Sequence, residues 1–337
     1  MRASAPAPQT PGGSIYRKML PGLALGFVVL VALVLVGDLR QVGQQLVGFE
    51  WKLFPLALLC TLFNYTLRFI KWHFYLGEIG VRNFPWPESL RLFVAGFPLA
   101  ITPGKVGEVL KAVWLRDKTG VPVPKGVSVV VAERISDGLA VLGLSTFGVI
   151  AYPQYWPAFL VVLILLIGLI VVSQIRPLAL WLLGIWARLP LIGRFAPVLT
   201  EFYEGSFALF RPRTTLLAVG LGAISWLGEG IGFYILLLGL GLPPSGELLS
   251  IAIFVLSFST IVGAVTALPG GLGAAEVSIA GMLALLGGLS APLASAATLL
   301  IRLATLWFGL ALGLAVWAFS GRLLFGLKRE QDATLEG

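Results

Sequence analysis

Long uninterrupted runs of apolar residues dominate the pattern of hydrophobic and polar positions along this chain. At about 1.5 Å per helical residue, each of six runs is long enough to reach across, or nearly across, a hydrocarbon core of roughly 30 Å. Charged residues gather mainly between these runs. The pattern therefore predicts six membrane-spanning helices, at about 20–36, 53–74, 125–150, 157–173, 214–240 and 293–319.

Two further apolar stretches are interrupted by proline and glycine. Proline removes a backbone donor and glycine loosens a helix, so each stretch is interpreted as two helical segments that meet at a break. We expect each to return to the side from which it entered, as a re-entrant hairpin. The stretches are 89–115, broken at Pro98 and at Pro103 and Gly104, and 248–286, broken at Pro269, Gly270 and Gly271.

Composition excludes a soluble globule. Of the 337 residues, 58% are hydrophobic and 12% are charged, against roughly 45–50% and about 25% in soluble proteins. The mean hydropathy is +0.94. The net charge of +8 is scattered between the apolar runs, which argues against a nucleic-acid partner. Cys60 is a single cysteine, so no disulfide forms within the chain. The predicted fold class is all-α, a polytopic helical membrane protein.

The distribution of basic residues predicts the orientation. With the amino terminus in the cytoplasm, 17 of the 24 Lys and Arg residues lie in cytoplasmic segments, five of them between 176 and 213. Arg40 and Lys52 lie outside, and five lie at membrane depth, which satisfies the positive-inside rule with both termini cytoplasmic. We expect a disordered tail at 1–14, one membrane domain at 15–325 and a tail at 326–337.

The two broken stretches share a pattern of Pro-Gly, a further glycine and then a glutamate. The following span carries an arginine in both cases, 31 residues after the proline for Arg134 and 33 for Arg302. Three full spans separate the stretches, so the hairpins enter from opposite sides. This predicts an inverted repeat, with halves at about 53–150 and 214–319 and a substrate site near the midplane. The alternative is a chance match in a chain with 41 glycines. The break residues are Pro103, Gly104, Gly107, Pro269, Gly270, Gly271 and Gly273.

Charged residues at membrane depth beside the breaks are the candidates for substrate binding and translocation. Each costs about 2.5–3.5 kcal/mol at a helix centre on insertion scales, so each must face the bundle interior or an aqueous cavity. Residues three or four positions apart share a helix face. The candidate set is Lys105, Glu108, Lys111, Glu133, Arg134, Asp137, Glu276 and Arg302.

A structural role is the alternative for these charges. Glu133 or Asp137 paired with Lys105 or Arg302 would hold the bundle together without binding a substrate. Thr298 and Thr305 flank Arg302 at helical spacing, and Glu229 stands alone in the fifth span. Near a cytoplasmic helix end, Arg68 and Lys71 are expected to extend to the membrane interface instead.

Motifs for nucleotide and metal chemistry do not fit. The Gly270 segment lacks the strand-turn-helix context of a dinucleotide site, and the Gly104 segment lacks the Ser or Thr of a P-loop. His73 and Cys60 supply neither a metal cluster nor a Cys/His pair. We therefore expect no cofactor, no metal and no enzymatic activity.

The ordered motifs resemble a known family. Gly96 and Phe97 lead to the first Pro-Gly run, Glu133, Arg134 and Asp137 follow, and the second run ends at Glu276. This order is similar to the signature of the lysylphosphatidylglycerol synthase transmembrane region, the flippase-like family that includes the flippase part of the multiple peptide resistance factor. The similarity covers about residues 15–325. It implies a bacterial or archaeal inner-membrane protein that moves a lipid head group between leaflets, with paired re-entrant helices around a cavity.

Two functions follow as alternatives. The first is a lipid flippase or transporter that uses no ATP hydrolysis and carries a phospholipid or related lipid. The second is an accessory scaffold that binds lipid and docks a separate lipid or glycan synthase through the arginine-bearing segment 176–213. No aminoacyl-transferase domain follows the membrane region in this sequence, so we expect no lipid aminoacylation by this chain. The expected partners are a membrane lipid and either a synthase or a second copy of the chain.

Overall fold

Helices make up the fold. The computed structural model describes residues 11–102, 107–151, 156–187, 196–266 and 268–325, and no strand occurs within these ranges. The α-helices are α1 Pro11–Val36, α2 Leu39–Gly48, α3 Phe54–Glu78, α4 Trp86–Ala95, α5 Val109–Thr119, α6 Val123–Ala151, α7 Trp156–Gln174, α8 Arg176–Ala187, α9 Ala196–Leu209, α10 Pro212–Gly239, α11 Gly246–Val265, α12 Ala274–Gly287, α13 Ala291–Arg302 and α14 Phe308–Phe325. Shorter turns are the 3₁₀ segments Trp51–Leu53, Phe97–Ile101 and Pro269–Gly271 and the π-helical segment Leu303–Trp307.

Length and hydropathy confirm an all-α, multi-pass membrane protein. Among the described residues, six helical segments are long and apolar enough to cross a membrane, and four of them match predicted spans. The other two predicted spans form α6 and α7, and α6 is 29 residues long with charged residues in its interior. The six segments are Met19–Val36, Trp51–Glu78, Pro212–Gly239, Gly246–Val265, Pro269–Gly287 and Ala291–Ser320.

The two broken stretches differ in length more than the sequence pattern suggested. Helices α4 and α5 have 10 and 11 residues, about 15 and 17 Å, too short to cross the bilayer. By contrast, α11 has 20 residues, about 30 Å, and reaches full spanning length. The two hairpins are therefore unequal, because α11 runs for 20 residues without a proline. Helix α1 begins at Pro11, inside the predicted tail, whereas 1–10 and 326–337 lie outside the described residues.

Corresponding helices of the two halves pack in an inverted arrangement. Helices α3 and α10 run antiparallel along their length, with Gly232 of α10 against Cys60, Gly228 against Phe63 and Thr214 near Glu78. The contacts of the two halves also correspond. Helix α4 of the first half packs on α14 of the second, and α11 of the second half packs on α6 of the first. Within the halves, α5 packs on α6 and α12 packs on α13. Helices α3, α6 and α10 thereby form the centre of the bundle, where the two halves meet.

Helix α1 crosses both breaks. Gly22 of α1 lies so close to the carbonyl of Ile101 that a side chain there would overlap it, and Gly26 faces Trp307 and Leu272. Further along α1, Val29 lies beside Gly273. The glycines on this face thus allow α1 to approach the turn of each half, which places the two breaks side by side beneath one helix.

Candidate functional site

The first break is closed by a threonine. Thr102 donates its hydroxyl to the carbonyl of Leu99 at 2.6 Å and accepts the backbone N–H of Gly107 at 2.9 Å. A Cβ on Gly107 would lie 2.6 Å from this hydroxyl, so the turn requires glycine there. Pro103, Gly104 and Lys105, which the sequence also assigns to this site, lie outside the described residues.

Two parallel ion pairs connect α5 to α6 directly after this break. The Nε atom of Arg134 lies 3.4 Å from Oε2 of Glu108, and Nζ of Lys111 lies 3.0 Å from Oε2 of Glu133. Both carboxylates are buried. Nζ of Lys111 also lies 4.0 Å from the ring centroid of Trp72, a cation–π contact that compensates part of its lost hydration. The four predicted charges therefore lie together, as neighbouring pairs.

A third pairing joins α6 to α3. Asp137 accepts from Lys71 and also lies 3.4 Å from Nε of Arg68. Nζ of Lys71 further donates to the hydroxyl of Ser136 at 3.1 Å. The expectation that Arg68 and Lys71 extend to the membrane interface is wrong, because Lys71 is fully buried and both side chains point to the same carboxylate.

Backbone conformation and one carboxylate shape the second break. Gly270 and Gly271 have φ of +62° and +68°, values that glycine adopts without steric cost. Glu276 accepts the backbone N–H of Gly273 at 2.7 Å and pairs with Nε of Arg302 at 2.5 Å. Nη2 of Arg302 donates to the carbonyl of Gly270 at 3.1 Å. Arg302 thus links its own helix to both ends of the turn.

The two breaks are in contact with each other. A Cβ on Gly270 would lie 3.3 Å from Ile101, at the end of the first turn, and 3.5 Å from Leu306. Leu306 belongs to the π-helical segment that follows Arg302, and such segments are frequent at functional sites. Thr298 and Thr305 donate to the carbonyls four residues earlier instead of contacting Arg302.

The sequence analysis missed a polar stripe on α3. Thr61, Asn64, Arg68, Lys71 and Tyr75 follow one another at intervals of three and four, which places them on one helix face. All but Arg68 are buried, and Asn64 has no hydrogen-bond partner for either side-chain atom among the described residues. The spacing alone could have shown this stripe, because four of its members are polar at membrane depth.

Every predicted charge that the structure describes has an ionic partner. Arg302 pairs with Glu276 and not with Glu133 or Asp137, whereas the suggested pairing with Lys105 falls outside the described residues. Exposure distinguishes the two arginines, since the side chain of Arg134 is 41% exposed and that of Arg302 is 12% exposed. An exposed guanidinium with one carboxylate partner retains free donors for a second anion. In the part of the chain that is described, no three His, Cys, Asp or Glu residues form a group that fits a metal ion.

Comparison with known proteins points to a family of membrane proteins. The model of the lysylphosphatidylglycerol synthase TM region matches residues 22–313. A UPF0104 membrane protein of Methanothermobacter thermautotrophicus is 26% identical over 279 residues, covering 77% of this chain and 81% of the relative. No solved structure matches the chain. Because the family model covers both breaks and all the ion pairs between them, the chain belongs to the family of the lysylphosphatidylglycerol synthase TM region.

Proposed function

We propose that this protein is a lipid transporter, which moves the head group of a phospholipid or related lipid between the leaflets without hydrolysing ATP. One observation carries the proposal: two glycine-rich helix breaks, one from each inverted half, meet beside four buried ion-pair clusters. Charges at this depth cost several kcal/mol, which favours a role in a transport pathway. The membership of the chain in a lipid-related family is compatible with this role.

The two arginines supply the chemistry that a lipid phosphate requires. Guanidinium binds phosphate through two parallel hydrogen bonds, whereas lysine offers a point charge. In this proposal Arg134, the more exposed of the two, binds the phosphate first and Arg302 receives it at the second break. The carboxylates of Glu108 and Glu276 then act as the resident anions that the phosphate replaces. The acyl chains stay in the lipid throughout.

The orientation belongs to the same proposal. The excess of basic residues between spans supports cytoplasmic termini in the inner membrane of a bacterium or archaeon. Helices α8 and α9 would then lie on the cytoplasmic side, where Arg176 pairs with Glu204 at 2.9 Å. A cysteine introduced at Gly246 in a Cys60→Ser background should react with an impermeant thiol reagent in intact cells, and one introduced at Arg176 should not.

Lipid movement in proteoliposomes tests the transport proposal. Wild-type protein should accelerate the exchange of a fluorescent phosphatidylglycerol between leaflets, measured by its quenching from outside. Arg134→Lys should lower the initial rate by about tenfold, equivalent to about 1.4 kcal/mol in the barrier. Arg116→Lys is the matched control, because Arg116 pairs with Asp117 on the exposed part of α5, and its rate should equal that of the wild type.

The absence of lipid movement would contradict transport. If wild-type protein moves neither phosphatidylglycerol nor a zwitterionic lipid faster than protein-free liposomes do, the proposal of a transporter is wrong. Recovery of the chain in a stable complex with a lipid-modifying synthase would then support the accessory scaffold. Equal rates for wild type and Arg134→Lys would contradict the phosphate role of Arg134 alone.

A further inference from the structure

Glu229 differs from the other buried carboxylates of the bundle. It lies on α10 with 5% of its surface exposed, and it makes no hydrogen bond or ion pair to any residue that the structure describes. Glu108, Glu133, Asp137 and Glu276 each have a basic partner within 4 Å. A buried carboxylate without such a partner is costly when ionised, so Glu229 requires a different explanation from a structural ion pair.

The groups around Glu229 come from both halves of the protein. Helix α3 contributes Tyr65 and Arg68, α6 contributes Asp137, and α13 contributes Arg302, all of which interact electrostatically with it. Helix α11, which also packs on α10, carries one ionisable residue, Glu247, in its exposed first turn. The turn Trp51–Leu53 adds Lys52 at the same distant end. Helix α10 packs on α3, α6 and α13, so the charge of Glu229 acts on an arginine of each half.

Both of these arginines already have carboxylate partners. Arg68 pairs with Asp137 and Arg302 pairs with Glu276. One turn before Arg68 on the buried stripe of α3, Asn64 offers a donor and an acceptor that no described residue uses. An ionised Glu229 competes with Asp137 for Arg68 and with Glu276 for Arg302, whereas a protonated Glu229 does not. The protonation state of this one residue therefore alters the charge balance at both arginines.

A count of buried charges shows what protonation would do. Among the described residues, which do not include Lys105, the bundle interior and its ion pairs contain equal numbers of basic and acidic side chains. Protonation of the Glu229 carboxylate removes one negative charge from this set, and a phosphate group in the same region would restore it. The basic side chains are Arg68, Lys71, Lys111, Arg134 and Arg302, and the acidic ones are Glu108, Glu133, Asp137, Glu229 and Glu276.

We propose that Glu229 is a proton-binding site, and that its protonation and the binding of an anionic, phosphate-bearing lipid head group favour each other. This inference rests on the proposed lipid transport and specifies what drives it. One proton from water converts the carboxylate to the neutral acid, and one negatively charged head group enters. Because binding free energies are reciprocal, a ligand whose binding is strengthened by a proton must in turn strengthen proton binding. Transport is then coupled to the proton gradient.

Proton uptake on lipid binding tests this inference directly. Purified protein in a nonionic detergent and weak buffer is titrated with dihexanoylphosphatidylglycerol while an indicator reports free protons. We expect uptake that approaches about one proton per bound lipid, and an affinity that rises by up to about tenfold for each unit of falling pH. Zwitterionic dihexanoylphosphatidylcholine should bind without uptake. Inorganic phosphate, which carries the same charged group without the lipid, should give no uptake at the same concentrations.

Variants of two glutamates complete the test. Glu229→Gln should bind the anionic lipid at all pH values without uptake, whereas Glu229→Asp, which keeps a carboxylate, should retain uptake. Glu247→Gln, the exposed control on α11, should behave as the wild type. If wild-type protein binds dihexanoylphosphatidylglycerol with no uptake and no pH dependence, the inference is wrong and transport still stands. Binding of neither lipid at any pH overturns both proposals, and uptake with inorganic phosphate alone overturns the lipid as ligand.

Discussion

The two helix breaks have similar sequence patterns and different electrostatic environments. Beside the first break, two ion pairs connect α5 to α6, and Asp137 holds two cations from α3 in addition. Beside the second break, a single pair of Glu276 and Arg302 is tied to the backbone of its own turn. The first half therefore carries most of the buried charge, whereas the second uses its charges to hold a turn.

The helices beside the two breaks also differ in length. The first break joins helices of 10 and 11 residues, and the second joins helices of 20 and 14 residues. The first hairpin packs in an apolar cluster that includes Phe93 and Leu115, and the second packs in one that includes Phe254 and Leu283. The first hairpin makes more ion pairs, so we expect its stability to depend more on charge. In the proposed pathway we infer that the head group binds first at the first half, and that the tied turn of the second half is the more rigid site that receives it.

Removing the central carboxylate should have the largest effect on stability. Asp137→Asn leaves Lys71 and Arg68 without a full negative charge in the bundle interior, so we expect a loss of about 3–5 kcal/mol in the free energy of unfolding. Glu276→Gln should cost roughly 1–3 kcal/mol, because glutamine still accepts the Gly273 N–H and Arg302 keeps the Gly270 carbonyl. Unfolding by denaturant in detergent micelles measures both values.

The control for this comparison is Asp117→Asn. Asp117 pairs with Arg116 on an exposed surface, where such pairs contribute about 0–1 kcal/mol. If Asp137→Asn were no more costly than Asp117→Asn, the first break would not depend on its charges. Equal large losses for Asp137→Asn and Glu276→Gln would remove the distinction between the two halves.

The second-largest effect should come from the crowded turn of the second break. Gly271 has a positive φ, and a Cβ there would lie 3.1 Å from Cα of Gly263 on α11. Gly271→Ala combines backbone strain with overpacking, so we expect a loss of about 2–4 kcal/mol. Gly288→Ala is the control, because Gly288 has φ of +61° with open space around it, and it should cost roughly 1–2 kcal/mol. Equal losses of stability for the two variants would mean that α11 moves aside to accept the new methyl group, and that the second turn is not rigid.

Some of this architecture can be predicted from sequence and some cannot. Apolar runs of bilayer length identify the spans, and the common offset from Pro-Gly to arginine brings Glu276 and Arg302 into one site. The partners of Asp137 could not be predicted, because Lys71 precedes it by 66 residues and only the packing of α3 on α6 brings them together. Because Lys71 lies near a helix end, the sequence suggested that its side chain reaches the membrane interface. In the structure it is buried instead, because Ser136 and Asp137 on α6 supply its polar partners.

Conservative substitutions of the two arginines should reduce stability by less, and they compare the two breaks directly. Arg302→Lys cannot keep both the Glu276 pair and the Gly270 carbonyl, so we expect a loss of about 1–2 kcal/mol in stability as well as slower lipid movement. Arg134→Lys should change stability by less than about 1 kcal/mol, because the side chain is partly exposed, at 41%, and makes one ion pair at 3.4 Å. Thermal unfolding in the micelles of the transport preparation measures both. A larger loss for Arg134→Lys would reverse the roles assigned to the two halves.

The smallest expected effect concerns one of the hydrogen bonds that join the halves. The hydroxyl of Tyr65 on α3 donates to the carbonyl of Thr305 in the π-helical segment at 2.9 Å. Tyr65→Phe removes this bond and should cost about 1 kcal/mol. Tyr234→Phe is the control, because Tyr234 makes no hydrogen bond within the described residues, and it should be close to neutral.

A second substitution tests whether this contact couples the two halves. A Cβ on Gly309 would lie 2.5 Å from the hydroxyl oxygen of Tyr65, so Gly309→Ala should displace that hydroxyl and destabilise the protein. In the Tyr65→Phe background the oxygen is absent, and the same change should cost less, with a coupling energy of about 0.5–3 kcal/mol. Strictly additive effects in this double-mutant cycle would show that α3 and the π-helical segment respond independently, and that the second half supports the first without this contact.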